Sequence, residues 1–95
     1  MIKIDFAIKD NEDETSEKSV VNYIIDRVGN KRLLDKEGHL HSYNDLPAIL
    51  ISFLNQKKWY KHGRLHRGNG LPAVIYANGK KEWWVNGQLI KKLIP

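Results

Sequence analysis

A thirteen-residue stretch occurs twice in the sequence, at residues 38–50 and again twenty-five positions later at residues 63–75. In the first eleven aligned pairs, seven residues are identical, and the conserved set reads Gly, Leu, His, Asn, Leu, Pro, Ala. Sequence repeats of this length are typical of supersecondary units that stack and bury a common core. The repeat therefore constrains the fold more than any other feature of the chain.

The repeat extends beyond this stretch and predicts three units, at residues 22–46, 47–71 and 72–95, of which the first is the most divergent. Three sets of residues recur at nearly constant spacing. They are a glycine (Gly38, Gly63, Gly87), a leucine (Leu40, Leu65, Leu89) and a large apolar residue (Leu34, Trp59, Trp83). Because each unit has a leucine or a tryptophan at the last position, we expect it to face the core.

Turn residues within each unit predict hairpins. Asn78-Gly79 and Asn86-Gly87 are typical of type I′ turns, in which both central residues adopt positive φ. Pro47 and Pro72 lack an N–H for a strand ladder and should begin their strands. The sequence therefore predicts an all-β fold, a small antiparallel β-meander of about three hairpin repeats in one domain, residues 1–95.

The N-terminal part lies outside the repeat. Residues 1–9 alternate apolar and polar side chains, which predicts an added strand, and residues 10–18 predict an exposed acidic loop. Residues 19–28 fit either a strand or one short helix. Their content of β-branched and aromatic residues favours the strand.

Composition excludes several classes of protein. The chain has no cysteine, which excludes disulfides and thiolate metal sites, and no apolar run long enough to span a bilayer. The net charge is +5, and nine bases stand against one acid in residues 56–95, whereas residues 1–17 hold six acids and two bases. Such a basic half favours an anionic partner, although lopsided charge can also serve solubility alone.

Residues 59–74, read as WYKHGRLHRGNGLPAV, are similar to the MORN-like repeats of phage and large-virus proteins. That pattern runs roughly W-Y-x-N-G-x-L-H-R-x-x-G-P-A, and the resemblance covers about residues 22–95. It implies a scaffold or binding surface. The chain departs from the pattern at Leu71, which is an extra residue before Pro72, and at Asp45, which replaces the glycine.

Histidines are the first candidates for catalysis. His41 and His66 occupy the same repeat position, and a residue that recurs at the period usually has a structural task, here a hydrogen bond to a loop backbone. His39 and His41 could share a metal ion, but the sequence offers no obvious further ligands. The acidic residues of the 10–18 loop also lack the pattern of a calcium loop. We therefore predict a non-enzymatic protein with no metal and no cofactor.

Basic and aromatic residues alternate on the predicted strands of the second and third units. Trp59 and Trp83 should face the core, and their neighbours the solvent, although these neighbours could instead cover a second face of the sheet. Exposed aromatic residues beside lysine or arginine suit protein hot spots and base stacking alike. The predicted binding residues are Lys58, Tyr60, Arg64, Arg67, Lys80 and Trp84.

These patterns favour a small cytoplasmic binding protein with no membrane segment. Its expected partner is a host protein or nucleoprotein, as for phage proteins that inhibit a host defence factor. The alternative is a protein that binds RNA or single-stranded DNA through the basic C-terminal sheet. Sequence does not decide between these two, nor does it give the oligomeric state.

Overall fold

The computed structural model describes residues 22–95, and the predicted strand at residues 1–9, the acidic loop at 10–18 and residues 19–21 lie outside this range. The described chain is all-β, and every strand pair in it is antiparallel. The predicted all-β meander is therefore confirmed. Between residues 22 and 28 the chain forms a short strand and a turn, and no helix. No helix in residues 22–95 is long and apolar enough to cross a membrane.

Nine short strands follow one another along the described chain. They are β1 (Ile24–Ile25), β2 (Lys31–Arg32), β3 (Ile49–Ile51), β4 (Gln56–Lys58), β5 (Tyr60–Lys61), β6 (Arg64–Leu65), β7 (Val74–Ile75), β8 (Lys81–Val85) and β9 (Gln88–Leu93). Seven of them form one sheet in the order β1-β2-β3-β4-β7-β8-β9. Strands β5 and β6 form a separate hairpin. The second predicted unit contains β3 to β6, and the third contains β7 to β9.

The separate hairpin arises because one extended segment serves two ladders. The chain runs from β4 through Trp59 directly into β5. Its first half pairs with β7, whereas its second half pairs with β6. A loop at residues 66–72 separates β6 from β7. Strand β6 therefore pairs with the end of this segment, and β7 pairs with its beginning.

Neighbouring units are joined through the backbone of a buried alanine. Ala73 donates its N–H to Glu82 O at 2.8 Å in its own unit and accepts from Trp59 N–H at 2.7 Å in the preceding unit. Ala48 makes the same two bonds with Lys58 and Leu33. Both alanines are fully buried, which leaves no space for a larger side chain at this position. The preceding prolines need no N–H there, which agrees with their predicted place at the start of each strand.

The last unit ends the array differently. Strand β9 follows the whole length of β8, pairing first Gln88 with Val85 and finally Leu93 with Lys81. Only an irregularity at Ile90, between the pairs of Trp83 and Trp84, interrupts the ladder. The loop that separates β6 from β7 is therefore absent here, and β9 occupies the positions of both. All six residues of β9 are exposed, and within residues 22–95 it is one of the two edge strands of the sheet, with β1 at the other edge.

The core corrects the predicted alignment of the first unit. Leu33, not Leu34, is the buried equivalent of Trp59, at 2% and 5% exposure respectively. Leu34 instead pairs with Leu40, as Tyr60 pairs with Leu65. The shift arises because the first hairpin has five residues between its paired leucines, whereas the later hairpins have four. Alignment by a spacing of twenty-five residues therefore wrongly matches Leu34, which precedes that turn, with Trp59.

The turns are of two kinds. His62-Gly63 and Asn86-Gly87 have positive φ at both residues, as a type I′ turn requires. The type I′ prediction for Asn78-Gly79 is wrong, because only Gly79 has positive φ, at 92°. Tyr76 N–H bonds Lys80 O across a three-residue loop, and the Asn78 side chain accepts Lys80 N–H at 2.9 Å. This is a type I turn closed by a glycine bulge.

Replacing Gly79 by alanine should lower the free energy of unfolding by about 1–2 kcal/mol, because a Cβ is strained at this φ. The nearest atom to that Cβ would be 3.8 Å away, so crowding contributes little. Gly68→Ala is the matched control, since Gly68 has open space and no positive φ. Urea unfolding should separate the two variants, and equal stability would contradict the assigned turn.

Replacing Trp59 by alanine should destabilise the protein by about 3–5 kcal/mol, the usual effect of emptying a large aromatic site. Trp83 is only half-buried, so Trp83→Ala should lose about 2 kcal/mol or less. This inequality replaces the equal burial expected from the repeat. Two variants with the same urea midpoint would show that both indoles contribute equally.

Candidate binding site

Four of the six predicted binding residues lie on one side, three on a face of the seven-stranded sheet and Tyr60 where the chain of β4 continues into the β5–β6 hairpin. Lys58 pairs with Val74, and Val74 pairs with Glu82, so these three side chains share a face. Alternation along each strand adds two half-buried aromatic residues to it, Tyr60 and Trp84. Lys80 belongs to the same face, because its Nζ lies 3.5 Å from Glu82 Oε2. We call Lys58, Tyr60, Lys80, Glu82 and Trp84 the aromatic face.

Glu82 holds the aromatic face in a fixed arrangement. Its carboxylate accepts hydrogen bonds from Trp84 Nε1–H at 2.9 Å and from the Tyr76 hydroxyl at 3.2 Å. Burial raises the pKa of Glu82, but the hydrogen bonds from Trp84 and Tyr76 and the charge of Lys80 together lower it below its ordinary value. The indole and the lysine are thus oriented before any partner arrives. Sequence reasoning missed this role because Glu82 is the sole acid of a basic region.

Arg67 has a different environment from the one predicted. Its guanidinium carbon lies 3.7 Å from the centre of the Trp59 ring, on the opposite face of the sheet. Its nitrogens bond both carboxylate oxygens of Asp45 at 3.0 Å and Pro72 O at 3.0 Å. The side chain is only 13% exposed. Arg67 therefore locks two loops over the core and is not an exposed charge of the aromatic face.

Arg64 is also separated from the other predicted residues. It pairs with Lys61 in the β5–β6 hairpin, so it lies on the side opposite Tyr60. Its side chain packs near Gly87, where an added Cβ would lie 3.7 Å from Arg64 Cβ. Arg64 is exposed, and it could meet a partner only from this other side.

The contact between Arg67 and Trp59 has a weaker counterpart in the next unit. Lys91, the repeat equivalent of Arg67, lies 4.3 Å from the centre of the Trp83 ring. Trp83 Nε1–H bonds Gly70 O at 2.9 Å, as Trp59 Nε1–H bonds Asp45 O. Gly70 has no carboxylate to pair with the lysine. The absence of that ion pair agrees with the greater exposure of Trp83.

His41 and His66 have the structural role that their repeat position predicted. His41 Nδ1 accepts the backbone N–H of His62 at 2.9 Å, and His66 Nδ1 accepts that of Asn86 at 3.0 Å. Each bond joins a histidine of one unit to the two-residue turn of the next. Because Nδ1 is the acceptor, a neutral imidazole must carry its proton on Nε2. The prediction of a loop backbone partner is confirmed.

The surroundings of both imidazoles favour the neutral form. Burial lowers the pKa of His41, and the charges of His62 and Lys61 lower it further, although Asp35 acts in the opposite direction. Burial also lowers the pKa of His66, again with Lys61 contributing. A protonated ring would lose its acceptor nitrogen. The low pKa and the hydrogen bond therefore depend on each other.

Asp35 is the centre of the first hairpin turn. One carboxylate oxygen accepts the N–H groups of Glu37 and His39 at 2.9 Å, and the other lies 2.7 Å from His62 Nδ1. Although burial raises the pKa of Asp35, these hydrogen bonds lower it to about 2. The carboxylate is thus ionised across the physiological pH range, and both of its oxygens are hydrogen-bonded.

Two groups of side chains in the described chain have the spacing of metal ligands. Asp35 belongs to both, with His41 and His62 in one and with Glu37 and His39 in the other. His41 is a poor ligand, because Nδ1 already accepts a backbone N–H and its proton occupies Nε2. Both oxygens of Asp35 are also engaged, one by the N–H groups of its own turn and the other by His62 Nδ1 of the next unit. These contacts favour a structural role for the cluster over metal binding.

An open cleft of about 330 Å³ lies between equivalent loops of the first and second units, and its lining includes His41, Tyr60, Lys61 and His66. Ser42, also in the lining, uses its hydroxyl to accept Tyr60 N–H at 3.1 Å. The serine and both histidines therefore bind backbone rather than each other. Such an arrangement lacks a nucleophile paired with a base.

Comparison with models of protein families, with curated proteins and with solved structures found no match to this chain.

Acid should destabilise the fold through the two structural histidines. Their folded-state pKa lies below the ordinary value of 6.5, so the unfolded chain binds more protons near pH 6. The stabilisation is present above about pH 6.5 and is lost as pH falls through the lower folded value. We expect a lower melting temperature at pH 5 than at pH 7.5.

The double variant His41→Gln with His66→Gln tests this assignment. Glutamine can still accept the turn N–H but does not titrate, so the melting temperature should depend less on pH between 5 and 7.5. Asp35 is not expected to contribute in this range, since its pKa is about 2. Unchanged pH dependence in the double variant would show that other groups are responsible.

Proposed function

We propose that this chain is a small non-enzymatic binding protein that engages a host protein through the aromatic face. The proposal follows the type of phage protein that inhibits a host defence factor, which the resemblance to MORN-like repeats implies. One observation carries it: Tyr60 and Trp84 occupy equivalent positions in consecutive units, on one face, and both are partly exposed.

Tryptophan and tyrosine dominate the energy of protein interfaces, because they bury much apolar area with few rotatable bonds. Trp84 is held by Glu82, so little side-chain entropy remains to be lost on binding. Lys58 and Lys80 lie on the same face as the two aromatic rings. Charges at a rim mainly raise the association rate and bring a salt dependence.

The histidines support a binding role over catalysis. His41 and His66 make the same bond to the same element of successive turns. A catalytic base would be needed once, in an environment of its own. Both rings are instead part of the joint between units.

A second candidate is the binding of RNA or single-stranded DNA, and the balance of charge favours it. Residues 22–95 hold thirteen bases and five acids. Of those acids, Asp26, Asp35, Asp45 and Glu82 are hydrogen-bonded within the chain. Only Arg67 and Lys80 of the thirteen bases form an ion pair with a carboxylate of the described chain.

Capture of a partner from bacterial lysate, with and without nuclease, separates these candidates. A protein held by the aromatic face should be retained after nuclease treatment and should be lost with Tyr60→Ala and Trp84→Ala combined. The matched control is Phe53→Ala with Leu54→Ala, which removes exposed apolar side chains from the β3–β4 turn. Circular dichroism should show that both double variants remain folded.

Two results would contradict the proposal. One is capture that nuclease abolishes, and the other is capture by the Tyr60 and Trp84 variant at the wild-type level. Lys58→Glu provides a second test that leaves both rings in place. It should weaken capture, and more strongly at low salt than at high salt.

A further inference from the structure

We infer that a row of three lysines on the opposite face of the sheet, Lys31, Lys57 and Lys81, forms a second binding surface, which takes the phosphate backbone of a single-stranded nucleic acid. The pairing register places these residues directly in line. Lys31 pairs with Leu50, Leu50 with Lys57, Lys57 with Ile75, and Ile75 with Lys81. Lysine and aliphatic residues therefore alternate across five neighbouring strands, and we call these five residues the lysine row.

The spacing of the lysines follows from the sheet. Each lysine is two strands from the next, which corresponds to about 9.6 Å, and the row spans about 19 Å. A stacked nucleic-acid strand rises about 3.4 Å per phosphate, so this span covers about six phosphates. A regular row of positive charge can thus follow a single chain of negative charge.

No carboxylate of the described chain neutralises the lysine row. Among residues 22–95, no ion pair or hydrogen bond of these three ammonium groups is found. The strands from β1 to β9 include no acid on this face, since Glu82 lies on the aromatic face. Ammonium groups in such a row are available to an anionic partner.

The aliphatic members of the row distinguish single strands from duplexes. Leu50 and Ile75 are half-buried and separate the lysines with apolar surface. Unpaired bases and sugars can contact such surface, while a duplex stacks its bases inside. The row also lies across five paired strands and includes no helix that would enter a groove. The mixed surface therefore fits a single strand.

Lysine at the same position of each unit has a structural explanation as well. Its methylene groups could cover Leu50 and Ile75 while the ammonium stays in water. That role depends on the stem and not on the charge. A substitution by glutamine, which removes the charge and keeps part of the stem, separates the two explanations.

The test uses the full chain and a fluorescently labelled twenty-nucleotide poly-dT, with binding measured by anisotropy over a range of salt concentrations. The triple variant Lys31→Gln, Lys57→Gln, Lys81→Gln should bind on the order of 100-fold more weakly near 0.1 M salt. The slope of log affinity against log salt should fall by about 2, because each lost contact with a single strand contributes about 0.7.

A matched triple variant removes three positive charges elsewhere: Arg27→Gln, Lys36→Gln and Lys92→Gln. None of these residues belongs to the lysine row, and all three are exposed. This variant should retain most of the slope. Equal weakening in both triple variants would show that net charge alone attracts DNA, and would overturn the assignment of the row.

Two further arms identify the chemistry of the partner. Poly-glutamate at equal charge concentration should displace the oligonucleotide poorly, and a duplex of the same length should bind more weakly than the single strand. Efficient displacement by poly-glutamate would mean that the row takes an acidic peptide instead. Failure of the wild-type protein to bind poly-dT would also overturn the inference. None of these outcomes bears on the aromatic face, because Tyr60 and Trp84 remain in every variant.

Discussion

The joint between successive units depends on a neutral imidazole that accepts the N–H of the next turn. His41 binds the turn that begins at His62, and His66 binds the one that begins at Asn86. These turns need positive φ at both residues, so their backbone N–H groups point in a fixed direction. With the buried alanines, the imidazoles couple each hairpin to its neighbour, and a small core can then hold a seven-stranded sheet together.

The way in which the turns are built also determines the surface charge. Small β-proteins need many turns, and this chain uses its acids to build them, as Asp26 and Asp35 show by accepting the N–H groups of their own loops. Asp45 instead pairs with Arg67 across two loops. Asp26, Asp35 and Asp45 form no ion pair with the lysines on strands β1 to β9. The use of acids in the turns therefore leaves the surface of the strands cationic.

Much of the fold follows from the repeat, because the residues that recur meet the same local requirement in each unit. Glycines of the turns, the buried alanines and the two structural histidines are of this kind. The extra residue in the first hairpin was not predicted, since Leu33 and Leu34 are both plausible core residues by composition. Asn78-Gly79 has the same dipeptide as a type I′ turn, but the length of its loop, set by the pairing of Ile75 with Lys81, selects another geometry.

The candidate site was less predictable than the fold. Alternation correctly placed Tyr60 and Trp84 together, because it depends only on the pleat of a strand. The position of Arg67 does not follow from the sequence, because its contact with Trp59 requires a loop to fold back over the sheet and no local pattern indicates this. The lysine row follows from register across five strands, which is determined by tertiary pairing and not by the spacing of twenty-five residues.

The structural role of the histidines can be measured directly by the nitrogen chemical shifts of their imidazole rings, in long-range ¹H–¹⁵N spectra of the labelled protein at pH 7.5. His41 and His66 should both be neutral and carry their proton on Nε2, with Nδ1 shifted as an unprotonated acceptor. Slow exchange of the backbone N–H groups of His62 and Asn86 should accompany this state. A proton on Nδ1 of either ring, or rapid averaging between the two tautomers, would contradict the joint between units.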